Sequence, residues 1–494
     1  MEQPSSSPDG SRGFLQDETY EAVDWAAGRK LFAPRVKVFP RRVKGRFRTI
    51  KWNFLAVLLT IYYLTPWIRW DRGPFAPDQA VLIDLPARRF YFFPIEIWPQ
   101  EVYYLTGLLL LAALGLFFVT SLFGRLWCAW GCPQTVWTDL YMWVERKIEG
   151  DRNARIRLDR APWTPEKLGK RALKHLIWIV IAMATGGAWV FYFADAPTLA
   201  HGLLTGTAPA AAYITIGLLT FTTYLLAGHA REQVCTYMCP YSRFQSVMLD
   251  DESVIVTYRS DRGDPRGPHK KGQSWDGRGH CIDCTQCIAV CPTGIDIRNG
   301  PQIECLNCGL CADACDSVMD RVGLPHGLIG LDSSANVERR ARGEPQQFRL
   351  LRPRTLVYTI VLLIIATGMA VALARRPDVG LNLLQDRNPV YVLLSDGSIR
   401  NGFTVKILNK VHDYRGFRLT VDGLEGARLS VVGAPKDDRA ALLHAGPDRV
   451  EHYRLFISVA RRNLKGDATP FRLVLSDPKR GERLVHEAVF HGPG

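Results

Sequence analysis

Two runs of four cysteines stand close together in the second half of this 494-residue chain. Cys281, Cys284, Cys287 and Cys291 form the first; Cys305, Cys308, Cys311 and Cys315 form the second. Each reads C-x2-C-x2-C-x3-C, the spacing that sets three thiolates around one corner of a [4Fe–4S] cube. In two-cluster ferredoxins the fourth cysteine of each run ligates the other cube. That rule groups Cys281, Cys284 and Cys287 with Cys315, and Cys305, Cys308 and Cys311 with Cys291. Zinc needs only two C-x2-C pairs and leaves the third cysteine and the C-x3-C step without a purpose. A disulfide framework fits poorly in a long chain whose cysteines all fall in tight clusters. The chemistry on offer is therefore single-electron transfer. Pro292 follows the first run, whereas Asp316 follows the second; neither residue is a ligand.

The other four cysteines form two matching pairs. One is Arg125-Leu-Trp-Cys128-Ala-Trp-Gly-Cys132-Pro133 and the other is Arg231-Glu-Gln-Val-Cys235-Thr-Tyr-Met-Cys239-Pro240. Residues i and i+4 of a helical turn share one face, so each C-x3-C can aim both sulfurs at one site. Four thiolates from two repeats make a soft site suited to Cu(I), zinc or a further Fe–S centre. They serve equally as a dithiol/disulfide set exchanging electrons with a nearby cluster. Buried small residues with proline as a helix punctuator are the bland alternative. Met238 reads as packing, and His175 and His229 as hydrogen-bonded anchors at a membrane edge.

The elements that must hold these motifs are membrane helices. Mean hydropathy is −0.04, yet apolar stretches long enough to cross a bilayer fall near 50–68, 102–123, 173–194, 210–228 and 354–374. Each C-x3-C-P motif follows a pair of these spans and precedes an amphipathic stretch, Thr135–Glu149 or Ser242–Asp250. Two such repeats, related by an axis along the membrane normal, would bring both cysteine pairs together at one face. The net charge of +14 does not point to nucleic acid, because it is concentrated in two places. Arg35, Lys37, Arg41, Arg42, Lys44, Arg46, Arg48 and Lys51 precede the first span; Arg146, Lys147, Arg152, Arg155, Arg157, Arg160, Lys167, Lys170, Arg171 and Lys174 separate the second and third. By the positive-inside rule those segments and 229–353 are cytoplasmic, and five spans leave the C-terminal part outside. All twelve cysteines then lie in the reducing compartment. No cleavable leader is expected, since the first span is long and far from Met1. Residues 1–20 have a disorder-like composition.

The expected fold class is a multidomain membrane protein. Residues 1–47 form an N-terminal cytoplasmic segment and 48–258 a transmembrane repeat region of four spans. Residues 259–345 form a bacterial-type two-cluster ferredoxin domain, entered through a flexible linker at Arg259–Gly272. A fifth helix at 350–376 leads to an all-β domain at 377–494. There, period-two runs at Val390–Leu394, Phe403–Leu408, Gly416–Val421, Ala427–Val432, Glu451–Ala460, Pro470–Leu475 and Leu484–Phe490 predict an immunoglobulin-like sandwich, with turns at Asp396-Gly397 and Asp422-Gly423. No catalytic cluster is visible in it, so it reads as a docking module or a stabilising cap.

The order of these parts resembles the FixG/CcoG (also RdxA) family from about residue 30 onward. The resemblance is carried by the two C-x3-C-P motifs, by Cys281-Ile-Asp-Cys284-Thr-Gln-Cys287 with Cys291-Pro-Thr-Gly-Ile-Asp-Ile297, and by Cys315-Asp316. Arg387-Asn-Pro-Val-Tyr-Val and Ser395-Asp-Gly-Ser-Ile-Arg-Asn-Gly402 carry it into the last domain. It implies an accessory protein of the bacterial inner membrane that reduces Cu(II) to Cu(I) for assembly of cbb3-type cytochrome c oxidase. Its cofactors would be two [4Fe–4S] clusters, and its partners oxidase subunits or assembly factors, copper-transport proteins, membrane lipid and an unidentified electron donor. Carried over by position, Cys128, Cys132, Cys235 and Cys239 would handle copper. Two other readings stay open: a quinol-linked module like the membrane ferredoxins of nitrate and nitrous oxide reductase systems, and a non-enzymatic assembly scaffold or redox sensor.

Overall fold

The structure, a computed structural model, describes residues 37–269, 272–435, 439–464 and 466–493. The disorder expected over 1–20, together with Arg35, Lys270 and Lys271, lies outside them. The chain forms two compact units. One comprises the chain up to Ile68 with Ala80–Met369; the other comprises Arg69–Gln79 with Ala370–Gly494.

Among the described residues, four helices are long and apolar enough to cross a membrane. They are Pro99–Phe123, Pro165–Val190, Ala210–Met238 and Pro353–Ala374. The helix expected to be the first span is also formed: α1, Arg46–Leu64. It does not join that set, because Arg46, Arg48 and Lys51 occupy its first two turns. Arg48 and Lys51 are buried, while Phe54, Val57, Ile61 and Leu64 expose an apolar stripe at helical spacing. Helix α2 (Tyr103–Phe123) leads into the short α3 (Leu126–Trp130) and then α4 (Pro133–Ile148), the amphipathic helix the sequence predicts. Helix Pro165–Val190 packs on Ala210–Thr223. Gly186 permits that approach: a Cβ there would sit 2.9 Å from the Ile216 carbonyl oxygen.

Two features depart from the sequence reading. The loop after α1 carries a small antiparallel sheet, Val81–Asp84, Arg89–Phe92 and Ile95–Ile97. The supposed flexible linker is also ordered where described. It begins with the helical turn Ser260–Gly263 and folds back on the first cysteine run: Cys281 N–H donates to Gly263 O, Gly267 N–H to Cys281 O (3.1 Å) and His280 N–H to Arg262 O. Its glycines and prolines therefore shape a cap. The strand Ile255–Tyr258 pairs with Ile329–Asp332 and clamps the cysteine-rich segment between them, so that segment's folded unit begins before the expected boundary at 259.

The second unit is a β-sandwich. One sheet orders Arg428–Val431, Arg449–Ala460, Ser398–Asn409 and Val379–Gln385, with Val392–Leu393 added on Ser398–Asn409; the other orders Ala440–Ala445, Arg415–Asp422, Ala468–Ser476 and Arg483–His491. Alternate residues point inward, and Phe403, Val405, Ile407, Phe417, Leu419, Leu455, Ile457, Leu473 and Phe490 share one core. All seven expected strands are present with shifted ends. Val379–Gln385 and Ala440–Ala445 are additional. At the Asp396-Gly397 turn, Gly397 has φ +80° and the Leu394 N–H donates to Ser398 O at 2.9 Å.

Candidate functional site

The two C-x3-C-P motifs adopt related but unequal backbones. Helix α2 stops at Gly124 (φ +59°), and α3 carries Cys128. Cys132 is extended and caps α4, whose first residue is Pro133. In the second repeat, helix Ala210–Thr223 widens into a π-helical segment, Tyr224–Ala230, breaks at Arg231 (φ +27°), and widens again over Val234–Met238, which carries Cys235. Cys239 is extended and caps Pro240–Met248. The regular helical turn expected for each pair is thus replaced by a cysteine on a helix and a cysteine at the next helix's N-terminus. Single-turn π segments recur at functional sites.

The fold brings the four sulfurs within electrostatic range of one another: Cys128 feels Cys132 and Cys239, and Cys235 feels the other three. Burial pushes the Cys128 thiol up to about 11; Cys132 adds to the rise, while Arg125 and a hydrogen bond to Gln245 oppose it. Burial also raises Cys132, against backbone N–H groups of Thr135 and Gln134. Among the described residues no three His, Cys, Asp or Glu side chains converge on a single-ion geometry. The four thiols are gathered, not closed.

The ferredoxin-type runs repeat one backbone design. Asp283 and Asn307, at matching positions, both lie in the left-handed region (φ +56° and +58°), as do Thr285 and Gly309 (φ +54° and +72°). Asp, Asn and Gly tolerate that region; a β-branched Thr does so under strain. At Gly309 a Cβ would also meet the Phe47 ring at 2.5 Å. The eight thiols lie close together, with Cys287 adjoining both sets. Cys315 lies beside Cys287, Cys284 and Cys281. Cys311 lies near Cys308, Cys305 and Cys291 and also near Cys287, and these five line one cavity with Pro292 and Leu306. Burial is the main cause that raises Cys287 to about 11 and Cys305 and Cys315 to about 12. A set of buried thiols so reluctant to ionise needs a cation among them to become thiolates. In donor type and number they fit iron–sulfur clusters.

The second run touches the first C-x3-C-P motif directly. Ala129, 0% exposed, shares a small apolar core with Cys308, Leu310, Ala314 and Val290. Asn307 Nδ2 donates to Phe123 O at the end of α2 (2.9 Å), and its Oδ1 accepts from the Val256 N–H. On the other side, one small cavity is lined by Cys235, Thr138 and Lys51 and by Pro292 and Leu306.

A buried charge network fixes this assembly, and the sequence reading missed it. Asp139 of α4 accepts two hydrogen bonds of 2.9 Å from Arg48 and faces Lys51 at 3.6 Å. Burial alone would raise its carboxyl, but Lys51 and Arg48 hold it below the usual range. Glu145, two turns on, accepts from Arg155 at 2.6 Å and from Arg231 at 2.5 and 3.0 Å, with Lys174 at 3.8 Å. Its carboxyl is likewise held low, because Arg231 and Arg155 outweigh burial. The pair Arg231–Glu145 ties the second motif to the helix that follows the first. The only hint in the sequence was two acids, Asp139 and Glu145, on a helix within a basic region. His175 and His229, read as separate anchors, lie with near-parallel rings 5.8 Å apart, and His175 Nδ1 pairs with the Tyr224 hydroxyl at 3.0 Å.

Comparison with known proteins adds to this geometry. Residues 230–334 match a 4Fe-4S dicluster domain, 105–150 a 4Fe-4S binding domain, and 369–493 the IG-like fold at the C-terminal of FixG. Nitrogen fixation protein FixG of Rhizobium meliloti is 49% identical over 511 residues, covering 98% of this chain and 97% of that protein. Protein RdxA of Cereibacter sphaeroides is 50% identical over 470 residues, 94% of this chain and 98% of its own length. Ferredoxin-type protein NapH of Escherichia coli is 23% identical over 203 residues, 39% of this chain and 59% of its own.

Proposed function

Because the chain belongs to the FixG/RdxA family, a family of membrane iron–sulfur proteins, we propose that it is a membrane Cu(II) reductase. In this reading it delivers Cu(I) for assembly of cbb3-type cytochrome c oxidase. Cys281, Cys284, Cys287 and Cys315 hold one [4Fe–4S] cluster; Cys305, Cys308, Cys311 and Cys291 hold the other. When bound, these groups supply single electrons at low potential.

The observation that carries the reading is the approach of Cys128, Cys132, Cys235 and Cys239, from two repeats, within electrostatic range of one another, with Ala129 of the first motif packed on Cys308. Each Cu(II) takes up one electron, and the Cu(I) formed is held by soft sulfur donors that bind it in preference to Cu(II). The thiols that ligate it give their protons to solvent. Arg125, buried and donating to the Ser242 carbonyl oxygen, lies where it offsets thiolate charge near Cys128 and Cys305.

In the same reading α1 is a fifth span: its buried basic end sits at the cytoplasmic interface and its exposed apolar stripe faces lipid. The cysteine-bearing segments are cytoplasmic and the β-sandwich periplasmic, in the bacterial inner membrane. The sandwich docks an oxidase assembly factor or a copper-transport protein.

The test uses anaerobic protein reduced by dithionite, freed of excess reductant, and given Cu(II) with a chromogenic Cu(I) chelator. Cu(I) should form with the unaltered protein. Combined Cys→Ala changes at 128, 132, 235 and 239 should abolish it while cluster absorbance persists. Unchanged Cu(I) formation in that variant sinks the copper assignment; quinol oxidation in its place supports the quinol-linked reading.

A further inference from the structure

Gln245 lies in helix Pro240–Met248 of the second repeat, yet its side chain reaches the first repeat's cysteine. Cys128 Sγ donates to its Oε1 at 3.3 Å. The residue is 0% exposed; its Nε2 makes no well-aligned hydrogen bond among the described residues and interacts only loosely with the Tyr241 hydroxyl that it faces. A buried amide with an idle donor costs stability, and such groups call for an explanation. The repeat supplies part of one. Gln245 is the sixth residue after Cys239, and Thr138 is the sixth after Cys132. Thr138 in turn lines the cavity that holds Cys235. The equivalent positions thus both lie near the other repeat's leading cysteine, but only Gln245 hydrogen-bonds it; the Thr138 hydroxyl accepts from Gln134 instead.

We propose that Gln245 is a positioning residue for the copper thiolates, one that exchanges its hydrogen-bonding role when Cys128 binds metal. This rests on the copper reading above. In the thiol form, S–H donates to Oε1. On ligation the S–H bond is replaced by S–Cu and the proton goes to solvent, so Oε1 and the thiolate sulfur become two facing acceptors. Half a turn about the terminal amide torsion brings Nε2–H to the sulfur instead. The idle donor is then used, in a charge-assisted bond stronger than the neutral one it replaces. Gln245 touches the ligand sulfur and not the metal.

The test is anaerobic Cu(I) titration of the full-length, cluster-containing protein against a chromogenic competitor, with iron content and thermal stability measured in parallel. Q245L should bind Cu(I) about 10–100-fold more weakly, the usual cost of losing an outer-shell partner of a metal ligand. Q245E removes the N–H, but a buried carboxyl can protonate and donate O–H in its place, so its binding should weaken, relative to the unaltered protein, as pH rises and the carboxyl ionises. If Q245L binds as well as the unaltered protein, the role of Gln245 falls while the copper site stands. If Q245E matches the unaltered protein across about pH 6–9 and Q245L does not, the oxygen is what matters and the donor role is overturned. If the unaltered protein takes up no Cu(I), the copper reading itself fails, and this inference with it.

Discussion

Replacing Glu145 by Gln should loosen the joint between the two repeats more than any other single uncharging of the fold. Glu145 is buried and accepts from Arg155 and Arg231, with Lys174 close by. Without its charge, Lys174 keeps Glu149 at 2.9 Å, and Arg155 keeps Glu149 and Asp151 at longer range. Breaking a buried ion pair from one side costs about 3–5 kcal/mol, because the charge left behind has lost its solvent. At roughly 2–4 °C per kcal/mol for a unit of this size, the apparent Tm should fall on the order of 10 °C. Tryptophan fluorescence of detergent-solubilised protein at one fixed scan rate measures it. Glu166→Gln is the control: it removes an exposed carboxylate 2.6 Å from Lys170 in an i,i+4 pair and should leave Tm unchanged. Alkylation of Cys235 in the metal-free protein should also quicken in Glu145→Gln, since Arg231 fixes the start of its segment. A Glu145→Gln Tm within about 2 °C of the unaltered protein, with Cys235 no more reactive, would refute the view that this network holds the repeats together.

Three further outcomes follow from the same geometry. Asp139 and Glu145 have folded-state carboxyls held below their unfolded values, so their stabilisation is present above about pH 4 and is lost as pH falls further. The Tm should therefore drop between pH 5 and 3, and drop less in Asp139→Asn, whose Tm at neutral pH should already be lower. Gly309→Ala adds a strained left-handed alanine and a Cβ 2.5 Å from the Phe47 ring; iron per protein should fall, and an unchanged content counts against the second loop as a cluster site. The Cys128 thiol, pushed up to about 11 chiefly by burial, should show in metal-free protein an alkylation rate rising about tenfold per pH unit from 8 to 10 without a plateau.

The chemistry of this chain was legible because cysteine spacing is local: the C-x2-C-x2-C-x3-C runs and the repeated C-x3-C-P need no tertiary information to be seen. Helix α2 was equally plain, as an apolar run with no competing pattern. What escaped depends on distant partners. Arg48 and Lys51 read as charges flanking a span, and only the pairing with Asp139, about ninety residues away, makes them part of a packed joint. Ala440-Ala-Leu-Leu-His-Ala445 has helix-favouring residues, yet it forms a strand because Arg415–Asp422 pairs with it in register. The Gly- and Pro-rich stretch after Arg259 looked like a linker; its backbone hydrogen bonds to the Cys281 loop were not readable from composition. Gln245 was in principle findable, since it holds the position of Thr138 in the repeat, but nothing in the sequence pointed it at Cys128.

The central claim is that Cys128, Cys132, Cys235 and Cys239 are where electrons held by the cysteine-rich segment reach copper. Electron paramagnetic resonance on anaerobic, pre-reduced protein mixed with substoichiometric Cu(II) tests it most directly. The account predicts that the Cu(II) signal and the reduced-cluster signal disappear together, one electron per copper, and that both persist side by side in the Cys→Ala variant at 128, 132, 235 and 239. Persistence of both signals in the unaltered protein, or their equal loss in the variant, would contradict it.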